Sequence, residues 1–482
     1  MLNKKNARKT TAIYYNEKKY CYLCAIYKYV IKMLDYKKHV KLLTRLALTA
    51  VMLLPTSVLA QEESQSQDEK PNVFTIDAEL MTRGELRHGG LTDSEDKSEE
   101  KSDNKARFIN ERTRLGLDYE RSFLKAHVTA QHSAVWGQAG KGSFNLYEAW
   151  AQMTSRKGFF FKIGRQVLSY DDERIIGSND WAVAALSHDL LKVGFENKEH
   201  KVHLMFAYNQ NSESVNGGTV YRNGDKPYKV MINSWYHYQH PRVPFGASLL
   251  FMNIGMQSNL ESDLNKTYYQ QLIGTYLSYK SNNWSAEGSF YYQFGKNESN
   301  VDISAWMASV TGSYSPTQRW KLVAGYDILS GDPFFAVPAH GDIGLIQHKT
   351  IKGFSPVYGS HHKFYGAMDF FYLSTYYDGF TPGLQNYYLK AIYSPVNKVK
   401  VDASYHFFAI ATNTENLKKS LGNELEFTAS YTPVKEVEVS LGYSFMHGTD
   451  TMEALKRAQG SRNLHWLWLR IVVHPRFLQV KW

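Results

Sequence analysis

Cysteine is nearly missing from this chain: its 482 residues hold two, Cys21 and Cys24. Their C-x-x-C spacing is that of a redox or zinc half-site, but no second pair follows to complete a zinc site. The remainder has no thiol chemistry, which suits an exported protein that needs neither a disulfide nor a free thiol. Beyond residue 60 no run near twenty apolar residues occurs, so no transmembrane helix is expected there. Charge of one sign is also lacking where it matters. Of the 56 Lys and Arg, twelve lie in the first sixty residues, as do two of the 46 Asp and Glu, which leaves 44 of each. The formal net charge of +10 therefore belongs to the leading segment, and a nucleic-acid partner is excluded.

That leading segment reads as a targeting signal. Lys37, Lys38, Lys41 and Arg45 precede LALTAVMLLPTSVLA, with Val58 and Ala60 at the small-residue cleavage positions. Residues 1–60 are thus expected to be an N-terminal extension plus a cleaved signal, with Met33 a plausible true start and Gln61 the mature start. No Cys follows the cleavage point, so a lipoprotein anchor is not expected. Residues 61–72 read as a polar periplasmic leader.

What the chain does have is alternation. Ile109, Thr113, Leu115, Leu117 and Tyr119 share one face of an extended stretch, while Asn110, Arg112, Arg114, Asp118 and Glu120 share the other. The pattern returns at Val202, Leu204, Phe206 and Tyr208, and at Val399, Val401, Ala403, Tyr405 and Phe407. A soluble sandwich also alternates, but some four hundred residues of it would split into domains. The fold class expected is all-β, a transmembrane antiparallel β-barrel over 73–482. Aromatics at 14%, with 34 Tyr, fit its interface girdles.

Short and long connections alternate, which separates periplasmic turns from extracellular loops. Short turns fall near Ser122, 156–158, 197–200, 240–244, 281–283, 315–318, 394–398 and 432–435. Long connections span 88–106, 166–186, 210–227 and, longest, 331–383. Eight inner turns plus two flanking strands give about 18 strands, an even number, as antiparallel closure requires. The strand-like stretch 361–377 would break that parity and is placed in the long outer loop, folded inward. Parity in the last strand puts Leu467, Leu469, Ile471 and Val473 on one face with Phe477, leaving 478–482 as a short tail.

The densest polar cluster is GRQVLSYDDERIIGSNDW, Gly164 to Trp181. Two readings stay open for it. Arg165, Arg174, Asp171, Asp172, Glu173 and Asp180, with Tyr170 and Trp181, form a pore constriction that sorts solutes, or the segment is a salt-bridged loop that holds itself together. The spacing of its carboxylates is not that of an EF-hand. In HHKFYG (361–366) neighbouring histidines on a strand would face opposite ways, so they read as pins of an inward-folded loop and not as a metal pair. Ser, His and Asp are plentiful but show no triad spacing. An outer-membrane barrel enzyme is the remote alternative, and no cofactor or metal is expected. The run DSEDKSEEKSDNK, 93–105, reads as a solvated hairpin tip.

Five segments resemble the outer-membrane alginate export porins: RTRLGLDY (112–119), GRQVLSYDDERIIGSNDW, GYDILSGD (325–332), FSPVYGSHHKFYGAMDFFY (354–372) and HWLWLRIVVHPRF (465–477). The resemblance implies an 18-stranded barrel in the bacterial outer membrane that passes an anionic uronate polymer. By position it implies that Arg112, Arg114, Arg165 and Arg174 contact substrate, with Asp171, Asp172 and Asp180 orienting them or narrowing the pore. Parity also turns Lys162, Lys192, Lys201, Lys321, Lys400 and Arg470 inward, together with Asp77, Glu79, Asp118, Glu148, Glu196, Glu424 and Glu426, so the lumen is mixed in charge. The function expected is passive passage of alginate-like polysaccharide or oligosaccharide, in export or uptake, with a non-specific diffusion porin as the alternative. Its expected partners are the anionic sugar, outer-membrane lipid, and periplasmic secretion or uptake components.

Overall fold

The computed structural model describes residues 71–482 apart from 89–104, 139, 141, 214, 216–219, 223, 225, 333–349, 372–380, 414–416 and 457–461. Both cysteines, the expected signal, residues 61–70 of the leader and nearly all of the 93–105 run lie outside the described residues.

Eighteen strands cross the membrane. They are β1 Val73–His88, β2 Lys105–Glu120, β3 Leu124–Val135, β4 Ser143–Thr154, β5 Phe159–Gln166, β6 His188–Glu196, β7 His200–Tyr208, β8 Val230–Gln239, β9 Phe245–Gln257, β10 Thr267–Lys280, β11 Trp284–Lys296, β12 Asp302–Thr317, β13 Trp320–Leu329, β14 Leu384–Val396, β15 Val399–Ala409, β16 Ser420–Val434, β17 Val437–Gly448 and β18 Asn463–Val473. Each pairs antiparallel with the next, and β18 returns to β1 from Leu80 opposite Val473 to His88 opposite His465. The ladder is closed, so no edge strand meets lipid with unpaired amides.

Alternation sets which side chains go where. Outward positions carry Leu80, Leu115, Leu117, Ile163, Leu249, Leu322, Leu389 and Leu469, all exposed. Inward neighbours on the same strands include Arg83, Arg112, Lys162, Ser248 and Asn386, all buried. Outward aromatics gather at the periplasmic strand ends, where Trp284 stacks on Tyr314 at 4.2 Å and Trp320 on Tyr393 at 4.5 Å. They form one aromatic girdle.

The end of the chain departs from the expected tail. Pro475 has no amide to give the ladder, and the register with β1 shifts between Ile76 and Asp77. Pairing then resumes, with Arg476–Lys481 lying against β1 back to Val73, and Asn72 and Trp482 exchange backbone hydrogen bonds of 2.8 and 3.1 Å. The interruption flips the outward parity. Leu478, Val480 and Trp482 therefore face lipid, and Trp482 meets Tyr119 at 6.4 Å.

Two outer connections fold into the barrel. Residues 167–187, between β5 and β6, and residues 352–371 of the long loop meet through a short parallel bridge of Ile176 with Tyr358. Gly177 N donates to Tyr358 O at 2.9 Å, Tyr358 N to Ile175 O at 3.0 Å and Ser360 N to Glu173 O at 2.9 Å. Leu168, Ile175, Ile176, Phe354, Tyr358, Tyr365 and Phe371 then pack on wall residues Met205, Met231, Met252, Tyr291, Met307 and Phe408. At about 1.5–3 kcal/mol per large apolar side chain, this burial is what draws polar-flanked loops inward. The result is a plug with an apolar core.

Candidate functional site

The expected site residues meet in this plug and the wall around it. Arg112, its side chain 2% exposed, gives Nε to Glu79 at 2.7 Å, Nη1 to Asp180 O at 3.0 Å and Nη2 to the Asp180 carboxylate at 3.3 Å. Two residues along the same lumenal face, Arg114 gives Nε to Gln131 at 2.8 Å and Nη1 to Asp180 Oδ1 at 2.9 Å, and its guanidinium lies 4.0 Å from the Tyr147 ring. Asp180 thus sits between two guanidinium groups while its side chain stays 52% exposed. Arg83 holds Trp181 O at 2.8 Å and Gln131 holds Ala184 O at 2.9 Å. Wall donors from β1, β2 and β3 therefore grip one edge of the loop.

Arg174 grips the opposite wall. It gives Nε to Asp172 at 2.7 Å and places Nη1 2.9 Å from Asp327 Oδ1, although the angle there is not that of a hydrogen bond. Asp327 is 0% exposed and accepts from Asn386 Nδ2 at 2.9 Å, and Asn386 in turn meets His406 at 2.9 Å. Burial alone would lower the Arg174 guanidinium; the fields of Asp327, Tyr365 and Asp172 outweigh it and hold the group well above its ordinary value. The second loop is tied by Glu424 and Glu426 of β16, which accept from Met368 N at 2.9 Å and Ala367 N at 2.7 Å.

Arg165 stands apart from this network. It forms a two-pronged pair with Asp189 at 2.7 and 2.8 Å across β5 and β6, at the start of the loop. Tyr170 turns its hydroxyl to His203 at 3.0 Å, and Asp171 accepts from Trp235 Nε1 at 3.1 Å. Trp181 lies face to face with His362 at 4.2 Å and 5°, with Arg83 4.3 Å from the same ring. His361 instead reaches toward Pro356 O, and His362 pairs with Asp369 at 2.9 Å, so the two histidines pin the loop in different directions.

The family model described as alginate export matches residues 129–464. The chain belongs to the alginate export family. Similar solved structures include OccK9 (OpdG) of Pseudomonas aeruginosa, at a TM-score of 0.55 and 11% identity over 84% of this chain and 98% of that one. A BenF-like porin of Pseudomonas fluorescens Pf-5 gives 0.56 and 11% over 84% and 99%, and Pseudomonas aeruginosa OpdK, solved with vanillate, gives 0.54 and 10% over 84% and 99%. At such identities the likeness is one of fold. The comparison with curated proteins found no match.

This alginate export family member is therefore an outer-membrane channel, with its short turns periplasmic and its plug loops entering from outside. Below the plug, toward the periplasm, a cavity of about 400 Å³ is lined by Asp171, Asp172, Lys280, Lys363, Lys390 and Glu426 among others. Within the plug, burial pushes the Asp171 carboxyl up to about 6 against its bonds to Ser248 and Trp235. Glu173 moves the other way: burial raises it, but Ser169 and Lys363 together bring it below the usual carboxylate range.

Strand parity on its own does not reveal the plug partners Asp327, Asn386, Glu424 and Glu426. A signal was present all the same: Leu168, Ile175 and Ile176, and the aromatics of 354–371, are too apolar for loops that stay in water.

Proposed function

We propose that this channel passes alginate-like uronate chains or oligomers passively, with Arg112, Arg114, Arg165 and Arg174 as the track residues and Tyr170 to Trp181 as the constriction. The observation that carries this reading is Asp180. Its half-exposed carboxylate occupies the place between Arg112 and Arg114 that a uronate carboxylate would take, and Arg114 Nη2 is buried without a hydrogen-bond partner. Substrate carboxylates exchange with Asp180 at the guanidinium pair, so the loop supplies a displaceable counter-charge and the pair is never left empty. Charge-assisted two-pronged bonds favour such an exchange, and a site that binds weakly enough to release suits conduction.

Within this mechanism the four arginines differ in role. Arg114 and Arg165 are the more open, with side chains 12% and 30% exposed, whereas Arg112 and Arg174 at 2% also fasten the plug. Movement is diffusion down a gradient, in the outward direction that the family description names.

Planar-bilayer conductance tests the reading. Wild type is expected to prefer anions and to be blocked by oligouronates, and Arg112→Ala with Arg114→Ala to lose both properties. Equal selectivity and block in the double variant would refute the arginine track, while a wild type without anion preference or block would mark a non-specific porin.

A further inference from the structure

The lipid-facing side of the barrel turns cationic at the extracellular ends of four neighbouring strands. Register sets His447 of β17 opposite Asn463 of β18, His465 of β18 opposite His88 of β1, His88 opposite Lys105 of β2, and Leu86 opposite Arg107. His88, Lys105, Arg107, His447 and His465 share the parity of Leu86, Leu441 and Leu467, which are exposed on the outer wall. The five therefore point away from the lumen, at the upper edge of the apolar band. Lys105, Arg107 and His447 are exposed there, and His88 and His465 are partly buried.

Other outward cations at this level have internal counter-charges: Lys296 of β11 pairs with Asp302 at 2.9 Å, and Arg462, just before β18, is held by Asp450 and Glu453. Among the described residues, no carboxylate lies within 4 Å of Arg107, His88, His447 or His465. Glu111, an outward carboxylate further down β2, accepts from Trp136 Nε1 at 2.8 Å and faces His132 at 3.5 Å. The imidazoles are also held in place. Nδ1 of His465 meets the Tyr443 hydroxyl at 2.8 Å, and Nδ1 of His447 meets Asn463 Oδ1 at 2.8 Å, which leaves Nε2 of each ring for an outside partner. His465 lies between His88 and Phe445, with ring centroids 5.9 and 5.0 Å away.

We infer that Arg107, Lys105, His88, His465 and His447 form a docking surface for the phosphorylated headgroup of an outer-leaflet lipid, whose acyl chains lie on Leu86, Leu441 and Leu467 below. A guanidinium takes two phosphate oxygens at once, and the ammonium and imidazole groups beside it meet the remainder. Two observations favour a lipid over a soluble anion. The cations are continuous with an exposed apolar wall, and they face a side of the barrel that a solute in the lumen does not touch. The surface thus fixes how the barrel sits in its membrane, whatever the pore passes.

Native mass spectrometry of the detergent-purified barrel tests this, with diphosphorylated lipid A and its phosphate-free form as probes. EDTA is present throughout, so that the acidic residues of 93–103 in the joining hairpin cannot hold phosphate through a divalent cation. Wild type is expected to retain lipid A, and Lys105→Gln with Arg107→Gln to bind it about tenfold or more weakly, since each cation contributes a charge-assisted contact. Both positions are exposed, so the double variant is expected to melt with wild type. Lys296→Gln, on another part of the wall, is expected to bind as wild type does. The phosphate-free lipid is expected to bind wild type no better than lipid A binds the double variant. Equal retention of lipid A by wild type and the double variant overturns the inference. So does a wild type that holds the phosphate-free lipid as tightly, because acyl contact alone would then suffice, or a Lys296→Gln variant that loses as much, because net charge would then explain the effect.

Discussion

The Arg174–Asp327 pair lets the plug be loosened without touching the barrel. Arg174→Met keeps the aliphatic bulk beside Phe364, whose ring the guanidinium overlies at 4.1 Å, but strands the Asp327 carboxylate at 0% exposure. Removing one partner of a buried ion pair costs about 3–5 kcal/mol. Asn386 still donates to Asp327, so the lower end, about 3 kcal/mol, is the better figure. That penalty falls on the docked plug and not on the strand ladder, because Asp327 regains water once the plug lifts. At 1.4 kcal/mol per factor of ten, excursions of the plug become about a hundredfold more frequent. Hydrogen exchange at Gly177, Tyr358 and Ser360, whose amides make the bonds between the loops, reads this directly, while amides of β10 and β11 serve as the unaffected reference. Asp327→Asn in the same chain removes the stranded charge and is expected to restore most of the protection. The reasoning is refuted if Arg174→Met leaves those three amides as slow as in wild type, or if Asp327→Asn fails to rescue them.

Asp171 gives the plug a pH dependence. Its carboxyl is raised to about 6 by burial, so the docked state binds a proton more tightly than the unfolded chain; its stabilising contribution is complete below pH 4 and is lost as pH rises through 6. Plug noise in conductance traces is expected to be lower at pH 5 than at pH 7.5, with Asp171→Asn quiet at both; a variant that keeps the wild-type pH response would assign it to another group. Asp180→Asn weakens the internal competitor for Arg112 and Arg114, so oligouronate block is expected to strengthen about threefold to tenfold, and weaker block would contradict the exchange mechanism. Deleting 478–482 removes ladder bonds at about 1 kcal/mol each and uncovers the start of β1. A loss of about 2–4 kcal/mol in thermal stability is expected, and an unchanged melting temperature would return these residues to the status of a tail.

The barrel was legible in the sequence because a strand's two faces are written locally. Leu115 and Leu117 against Arg112 and Arg114 need no partner to declare their sides, and the inner turns punctuate the count. The plug was less legible because its contacts are remote: Arg174 meets Asp327, and Ile176 meets Tyr358, across more than 150 residues. Parity turned Lys162 and Lys192 inward, yet only the β5–β6 register shows them opposite each other. At the other end Pro475 defeated parity itself, since a single interruption reverses every face beyond it.

The plug also has a mechanical consequence. A closed ring of eighteen strands has little of its own to resist flattening, because bending between neighbouring strands is cheap compared with breaking their hydrogen bonds. Here one loop is clamped by β1, β2 and β3 on one side and by β13 on another, and its companion is held by β16. The same side chains that obstruct the lumen therefore brace its cross-section, so a solute that frees the plug also softens the wall around itself.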